Sequence, residues 1–325
     1  MRKYLLASLA VIGFMNTPSA GAQDWPTRPV TMVVPFAAGG GTDVTARIIA
    51  PRLGEVLGQQ VIIENLGGAG GMIGSNRVAK AAPDGSTLLF GAISVLAFIP
   101  SLYKEPLYNA ATDFEPVALV ADGARVLVTR KDFPANTLLE FVTYTKANHA
   151  KMQYGSAGTG SGPHVCSLLL DAAMGVTVLH IAYKGGGPAM IDLVAGRLDY
   201  LTDQISSALP QIAAGKVKAI ATLSASRVPG LGALATAQEQ GLANVSCREW
   251  SALVFPNGTP AKIVRRLAQA ASDALDTPAV SKRLEEAGIA VPPKEDRTTE
   301  YLAKLIPSEI EKWGKLIKAS GVRAE

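Results

Sequence analysis

The chain has 325 residues, of which 48% are hydrophobic, with 31 Lys and Arg against 27 Asp and Glu for a formal net charge of +4. The charges are mixed along the chain with no basic run, so nothing indicates a nucleic-acid-binding surface. The length and hydrophobic content predict about two domains with buried cores. Beyond the N-terminal region, no stretch reaches the ~18 unbroken apolar residues of a membrane-spanning helix.

The N-terminal region has the pattern of a secretory signal peptide. Arg2 and Lys3 precede an apolar core over residues 5–14, and residues 20–22 are the small residues Ala-Gly-Ala. These are the basic start, apolar core and cleavage site of such a peptide. The alternative, a membrane anchor, needs ~20 apolar residues, and this core is shorter. We therefore predict cleavage after Ala22 and export of the mature chain.

Short apolar runs then alternate with helical patterns. In chain order they predict strands over residues 30–36, 61–66 and 87–92, separated by helices over residues 44–57 and 72–81. A second series gives strands over residues 126–129, 153–156, 177–183, 198–203, 217–223 and 251–255, with helices over residues 138–146, 163–174, 260–275, 279–287 and 298–319. This alternation is typical of α/β sheets covered by helices.

The order of these elements also predicts the domain organisation. The tail after residue 250 has too few strands to form its own sheet, so we expect it to return to the first domain. Domain 1 then comprises residues 23–124 and 251–325, and domain 2 comprises residues 125–250. Two crossover segments, near residues 119–128 and 248–255, would connect the domains, with a ligand cleft between them.

Four strands run into loops rich in glycine and other small residues, at Gly39, Gly67, Ser156 and Gly185. In open α/β sheets, ligands bind at the carboxyl ends of the strands. Backbone N–H groups next to a helix start can hold an anion without a catalytic side chain. A tight, capped turn with nothing bound is the alternative interpretation of each loop. None of the loops matches a nucleotide-binding motif.

A few polar side chains in these loops could carry chemistry. Ser161, His164 and Asp203 raise the possibility of a Ser-His-acid hydrolase, but neither Ser156 nor Ser161 has the flanking glycines of a nucleophile elbow. We favour a pocket-lining role for His164, with a secreted hydrolase as the alternative. Lys184 is either a solvated loop residue or a cation near an acidic ligand. Asp203 either caps a helix or accepts a hydrogen bond from the ligand.

The chain has two cysteines, Cys166 and Cys247, separated by 81 positions. A disulfide is permitted in an exported protein, but spacing alone leaves both a disulfide and two buried thiols open. The three histidines and two cysteines have no zinc-site spacing. We therefore expect neither a metal nor a cofactor.

Five motifs resemble those of the substrate-binding proteins of tripartite tricarboxylate transporters, the Bug receptors. They read WPTRPVTMVVPFAAGGGTDVTAR at residues 25–47, VIIENLGGAGGMIG at 61–74, AAPDGSTLL at 81–89, YGSAGTGSGPH at 154–164 and AYKGGGPAM at 182–190. Ser308, Glu309, Lys312 and Trp313 also resemble the family's closing helix. The match covers essentially the whole mature chain in the family's order, which makes the resemblance specific.

The resemblance implies a two-domain periplasmic binding protein of type II, with two mixed, mainly parallel sheets and a hinge of two crossover segments. Such a receptor is not an enzyme. It would close around a small carboxylate, such as a dicarboxylate or tricarboxylate, an acidic amino acid or an aromatic acid. It would then deliver this ligand, as a monomer in the periplasm, to the permease subunits in the membrane. A receptor that acts on a signalling partner is a further alternative.

The resemblance also implies which residues bind the ligand. In the family, backbone amides, hydroxyls and ordered waters hold the carboxylate. Carried over to this chain, the ligand-binding positions are Phe36, Ala37, Gly39, Gly40, Asp43, Ser94, Ser156, Gly158, Gly160, Ser161, His164, Lys184, Gly185 and Asp203.

Overall fold

The computed structural model describes residues 25–319 except residues 229, 233, 243 and 244. The predicted signal peptide and its cleavage site lie outside the described residues. The strands are β1 (Val30–Val34), β2 (Val61–Asn65), β3 (Thr87–Ala92), β4 (Phe114–Arg130), β5 (Gln153–Ser156), β6 (Leu179–Ala182), β7 (Tyr200–Gln204), β8 (Val217–Thr222), β9 (Arg248–Pro256) and β10 (Ile289–Ala290).

Helices cover the sheets on both faces. They are α1 (Gly41–Leu57), α2 (Met72–Ala79), α3 (Ile99–Leu102), α4 (Leu138–Asn148), α5 (Gly162–Met174), α6 (Gly186–Val194), α7 (Ile205–Ala213), α8 (Ala261–Leu275), α9 (Pro278–Glu286) and α10 (Thr299–Ala319), and a π-helical turn spans Ser94–Phe98. Among the described residues, none of these helices combines the length and the apolar character needed to cross a membrane.

The strands follow the order β2-β1-β3-β9-β4-β7-β5-β6, with β8 and β10 also paired to β4. The pairs β1–β2, β1–β3, β5–β6 and β5–β7 are parallel, whereas β4 pairs antiparallel with β7, β8 and β9. The fold is thus α/β with a mixed sheet, as predicted.

The long strand β4 connects the two halves of the molecule. Its pairing with β9 ends at Ala124↔Arg248, and its pairing with β7 begins at Arg125↔Gln204. The predicted crossover segments therefore lie side by side in β4 and β9, in an antiparallel arrangement. The domain boundaries themselves stay a prediction.

Alternation of side chains along the strands builds a core on each face. Met32 and Val34 belong to the cluster formed with α1 and α8, whereas Val33 belongs to the opposite cluster, which includes Trp250 and Trp313 of α10. In the second half, Leu127 and its neighbours in β4 point to opposite clusters in the same way. Successive strand residues face opposite sides of a sheet, so each apolar strand supplies both cores.

A disulfide joins Cys166 of α5 to Cys247, just before β9, with their Cα atoms 5.9 Å apart. Of the two alternatives that the sequence left open, the structure therefore supports the disulfide. Both residues are buried. The bond fastens the helix that begins in the Ser156 loop to the start of a crossover strand.

Candidate functional site

The four glycine-rich loops meet between the two halves of the molecule. The Ala37 N–H donates to the Lys184 carbonyl oxygen over 2.9 Å. A Cβ atom at Gly67 or at Gly187 would lie under 3.0 Å from a carbonyl oxygen of the opposite loop. The glycines are therefore required because two backbones approach each other.

A small cavity lies where the loops converge. Its volume is about 20 Å³, room for about one water molecule. The lining residues are Phe36, Gly40, Gly41, Thr42, Ala92, Ser94, Arg125, Ala157, Gly162, Pro163, Gly186, Asp203, Gln204 and Glu249. They come from both halves of the chain, and four of them, Phe36, Gly40, Ser94 and Asp203, are among the predicted ligand-binding residues.

Three helices begin at this cavity. Residues 40–42 belong to the start of α1, Gly162 and Pro163 to the start of α5, and Gly186 to the start of α6. The first N–H groups of a helix have no partner within it, and the helix dipole is positive at this end. The three starts together therefore form a site that favours an anion.

Asp43, a predicted ligand-binding residue, instead holds its own loop together. Its buried carboxylate accepts hydrogen bonds from the Gly39 N–H at 2.9 Å and the Asn65 side-chain amide at 2.9 Å. Arg47 pairs with it at 2.9 Å. Burial alone would raise the pKa of Asp43, but the bonds from Arg47, Gly39 and Asn65 outweigh burial and lower it. Asp43 thus fixes the shape of the first loop.

Replacing Asp43 with asparagine is expected to lower the free energy of unfolding by about 1–3 kcal/mol at neutral pH, because it weakens three buried or partly buried hydrogen bonds. Since the folded-state pKa is lowered, the stabilisation is complete above the unfolded-state pKa and is lost as the pH falls through the folded-state value. Urea unfolding across pH should therefore show the difference from wild type shrinking only below about pH 4. Asp273→Asn, at an exposed helical position, is the control, and equal effects of both variants would contradict the assignment.

His164 and Ser156 are also occupied within the protein. The His164 Nδ1 accepts a hydrogen bond from the Gly160 N–H at 3.1 Å, and its ring lies 4.2 Å from that of His180. Burial and the neighbouring His180 lower the pKa of His164 to about 3, so the ring is neutral. Ser156 Oγ lies 2.6 Å from His180 Nε2 and accepts from the Gly158 N–H.

Ser161 and His164 do not form the hydrolase centre that the sequence left open. Ser161 Oγ is buried and has no hydrogen-bond partner among the described residues, so it is not bonded to His164. The Nδ1 atom of His164 already accepts a hydrogen bond from the Gly160 N–H. A nucleophile needs a base within hydrogen-bond reach, and this pair lacks that bond.

Three further predicted residues, Lys184, Gly185 and Gly158, lie where the backbones of two loops come into contact. The Lys184 side chain is exposed, while its carbonyl forms the bond to Ala37 described above. A Cβ atom at Gly185 would lie under 3.0 Å from the Ala37 nitrogen, and a Cβ atom at Gly158 would lie under 3.0 Å from the Gly70 nitrogen. These positions lie at the contact between the loops, not on the cavity wall.

Sequence reasoning missed a buried ion pair at the cavity. Arg125 of β4 pairs with Glu249 of β9, and their side chains are 3% and 6% exposed. The Arg125 Nη1 also donates to the Thr202 carbonyl oxygen at 3.3 Å. The only local signal was a charged residue just before each of two predicted strands, those over residues 126–129 and 251–255. Because the two residues are 124 positions apart, their pairing depends on the crossover.

Asp203 lies on the same wall of the cavity. It is 3% exposed, and its Oδ2 accepts from the Ser207 hydroxyl at 2.7 Å. Burial raises the pKa of both Asp203 and Glu249. The Ser207 hydrogen bond and the charge of Arg125 oppose this at Asp203, and the charge and hydrogen bond of Arg125 and the Gln204 hydrogen bond oppose it at Glu249. Among the described residues, no group of three or more His, Cys, Asp or Glu side chains is placed to hold a metal ion.

The Tyr103 hydroxyl makes a contact across the cleft by donating to the Thr159 carbonyl oxygen at 2.9 Å. Tyr103→Phe removes this bond and leaves the ring in place. One such hydrogen bond contributes about 0.5–1.5 kcal/mol, so we expect ligand affinity to fall by roughly 2- to 10-fold. Titration calorimetry measures the change, and Tyr301→Phe, on α10, is the control. Unchanged affinity in Tyr103→Phe would show that the bond is absent from the bound state.

Comparisons with known proteins fit this geometry. Residues 45–322 match the model of the tripartite tricarboxylate transporter family receptor. The chain is 39% identical over 303 residues to a UPF0065 protein from the TAR-I ttuE-ttuC′ intergenic region of Agrobacterium vitis, covering 93% of this chain and 87% of that protein.

Two solved structures are similar over nearly their whole length. The periplasmic binding protein BugD has a TM-score of 0.90 and 40% identity, with 92% of this chain and 99% of BugD covered. MatC from Rhodopseudomonas palustris, solved with bound malate, has a TM-score of 0.88 and 40% identity, with 90% of this chain and 100% of MatC covered. The chain therefore belongs to the tripartite tricarboxylate transporter receptor family, the periplasmic solute-binding proteins that include the Bug proteins.

Proposed function

We propose that this protein is a periplasmic receptor that binds a small carboxylate between its two domains and delivers it to a membrane permease of the tripartite tricarboxylate type. The observation that carries the proposal is the convergence of three helix starts, from α1, α5 and α6, on one cavity between the two halves. Malate in the related MatC structure supports a carboxylate as the ligand class.

The proposed mechanism is domain closure without chemical turnover. In the open form each half would expose its own loops. A carboxylate that reaches N–H groups on both sides stabilises the closed form through its higher affinity for that form. Bending of β4 and β9, the two crossover strands, would accommodate the motion, as in hinged binding proteins.

The proposed contacts follow from position at the cleft. Phe36, Gly40, Ser94 and Asp203 would line the ligand directly. Ala37, Gly39, Lys184 and Gly185 would seal the cleft through their backbones. The other predicted positions would shape the loops that present the N–H groups; they are Asp43, Ser156, Gly158, Gly160, Ser161 and His164. For localisation, the proposal includes cleavage of the signal peptide after Ala22 and a mature, monomeric chain.

A thermal-shift screen of the mature protein tests the proposal. The panel contains small monocarboxylates, dicarboxylates and tricarboxylates, acidic amino acids and aromatic acids. Ligand at a hundredfold excess over Kd stabilises the folded state by about 2.7 kcal/mol, which gives a clear rise in Tm. We expect at least one acid to produce it. No shift with any acid, after removal of co-purified ligand by unfolding and refolding, would contradict the proposal.

A further inference from the structure

The charges on the cavity wall are unusual for a site that receives an anion. Among the described lining residues, three side chains are ionisable, and all are at least nine-tenths buried: Arg125, Asp203 and Glu249. When ionised they sum to one negative charge. A ligand with one carboxylate makes the local charge −2, and a ligand with a second carboxylate makes it −3. Charges this close in a buried site interact strongly.

Arg125, the one cation among the described lining residues, is already engaged inside the protein. The guanidinium of Arg125 pairs with Glu249 and donates to the Thr202 carbonyl. Its terminal nitrogen also lies against Gly162, where a Cβ atom would come under 3.0 Å from it. Arg125 therefore neutralises Glu249 and is not placed as a free anchor for a second ligand carboxylate.

Two buried side-chain oxygens on the cavity wall have no hydrogen-bond donor among the described residues. Glu249 Oε1 is buried and has no hydrogen-bond partner among the described residues, and the same holds for Gln204 Oε1. The Gln204 side chain lies next to Glu249, and turning its amide lets the nitrogen donate a hydrogen bond to Glu249, which lowers the pKa of Glu249. An ionised carboxylate has about four acceptor positions. Arg125 and Gln204 together fill only part of them, so Glu249 has room to accept a further hydrogen bond from a bound donor.

We propose that the ligand carries an ammonium group in addition to its carboxylate, and that Glu249 and Asp203 select this group while disfavouring a second carboxylate. The carboxylate would face the starts of α1, α5 and α6. The ammonium would face the Glu249–Asp203 wall and restore charge balance in the closed cleft. This inference rests on the proposed function, because it names the ligand class for the same site.

Calorimetric titration of the mature protein with matched acids tests the inference. One series comprises succinate, succinamate, 4-aminobutyrate and butyrate, which differ at the end remote from the carboxylate. A second series compares alanine, whose ammonium lies next to the carboxylate, with propionate, which lacks the ammonium. We expect an ammonium compound to bind at least tenfold more tightly than its partners in at least one series, with succinate the weakest or close to it.

Variants assign the preference to residues. Glu249→Gln should reduce the affinity for the preferred ammonium compound at least tenfold and that for the uncharged analogue much less. Since this change leaves Arg125 without its counter-ion, Asp203→Asn provides a second variant that keeps the ion pair intact. Glu64→Gln is the matched control, because Glu64 is a surface residue paired with Arg77. The control should bind like wild type.

The outcomes separate the two proposals. Tighter binding of succinate than of every ammonium compound would overturn the inference and leave the carboxylate receptor standing. An unchanged preference in both Glu249→Gln and Asp203→Asn would also overturn it, because neither carboxylate would then be the group that selects the ammonium. Failure of every acid, including those of the thermal-shift panel, would instead contradict the proposed function.

Discussion

Replacing Gly187 with alanine is expected to weaken ligand binding by roughly 10- to 100-fold while the protein remains folded. Gly187 lies in the first turn of α6, and a Cβ atom there would lie under 3.0 Å from the Ala38 carbonyl oxygen across the cleft. Overpacking of this kind costs about 1–3 kcal/mol, and each 1.4 kcal/mol is about a tenfold change in Kd. The cost falls on the closed form, because only there do the two loops meet.

The free protein should not suffer from this change. Gly187 does not have a positive φ, and alanine within a helix is more stable than glycine by roughly 0.5–1 kcal/mol. Calorimetry would give the affinity, and thermal unfolding without ligand would give the stability. The two measurements together distinguish blocked closure from misfolding.

Other glycines supply a second test and the control. Gly67→Ala places a Cβ atom under 3.0 Å from the Lys184 carbonyl oxygen, from the opposite side of the cleft, and should weaken binding similarly. At Gly314, within α10 and not on the cavity wall, the nearest atom to a Cβ atom would be the Ser101 hydroxyl oxygen at 3.0 Å, so Gly314→Ala should leave the affinity unchanged. Wild-type affinity in both Gly187→Ala and Gly67→Ala would show that the ligand binds without this approach of the loops.

Removal of the disulfide is expected to lower the free energy of unfolding by about 4 kcal/mol. The bond between Cys166 and Cys247 closes a loop of 81 residues, and the loss of chain entropy that such a loop imposes on the unfolded state predicts a value of this size. The double variant Cys166→Ala/Cys247→Ala, unfolded in guanidinium chloride, gives the measurement.

Reductant provides the internal control for this prediction. Wild type treated with dithiothreitol should lose about as much stability as the double variant, whereas the double variant should not respond to it. Ligand affinity should change little, because neither cysteine lines the cavity. A double variant within about 1 kcal/mol of wild type would mean that the bond contributes little, as happens when the native state is strained.

Local sequence patterns were sufficient to predict the strands and helices next to the candidate site. The predicted strands over residues 87–92 and 153–156 have the same bounds as β3 and β5. The helices after the glycine-rich loops begin within three residues of their predicted starts, at Gly41 and Gly162. Apolar strands, glycine runs and helix starts are adjacent in sequence, so their order could be read directly.

Features that depend on long-range pairing were not predictable in this way. The strand predicted over residues 126–129 is the end of β4, which starts at Phe114. Asp122 and Gly123 in its middle are typical of a turn, and pairing with β9 keeps them extended. Residues 94–102, which are helical, were also missed. The Arg125–Glu249 pair was missed because only the crossover brings its two strands together.

In the sequence, the glycine-rich loops indicate backbone that lies close to a ligand. The structure shows a second reason for glycine, because a side chain at Gly67 or Gly187 would collide with a carbonyl oxygen of the opposite half of the protein. Asp43 and His164 likewise have partners within their own loops. Their part in ligand binding stays a prediction, and the variants above address the contacts at the cleft.

Small-angle X-ray scattering of the mature protein, with and without the acid selected by the thermal-shift screen, tests whether the two domains close around the ligand. The ligand-free sample would first be unfolded and refolded to remove bound solute. If the domains close, we expect a smaller radius of gyration at saturating ligand for wild type and a weaker decrease for Gly187→Ala at the same ligand occupancy. An unchanged radius of gyration in wild type, with calorimetry confirming that the acid is bound, would contradict a receptor that closes around its ligand.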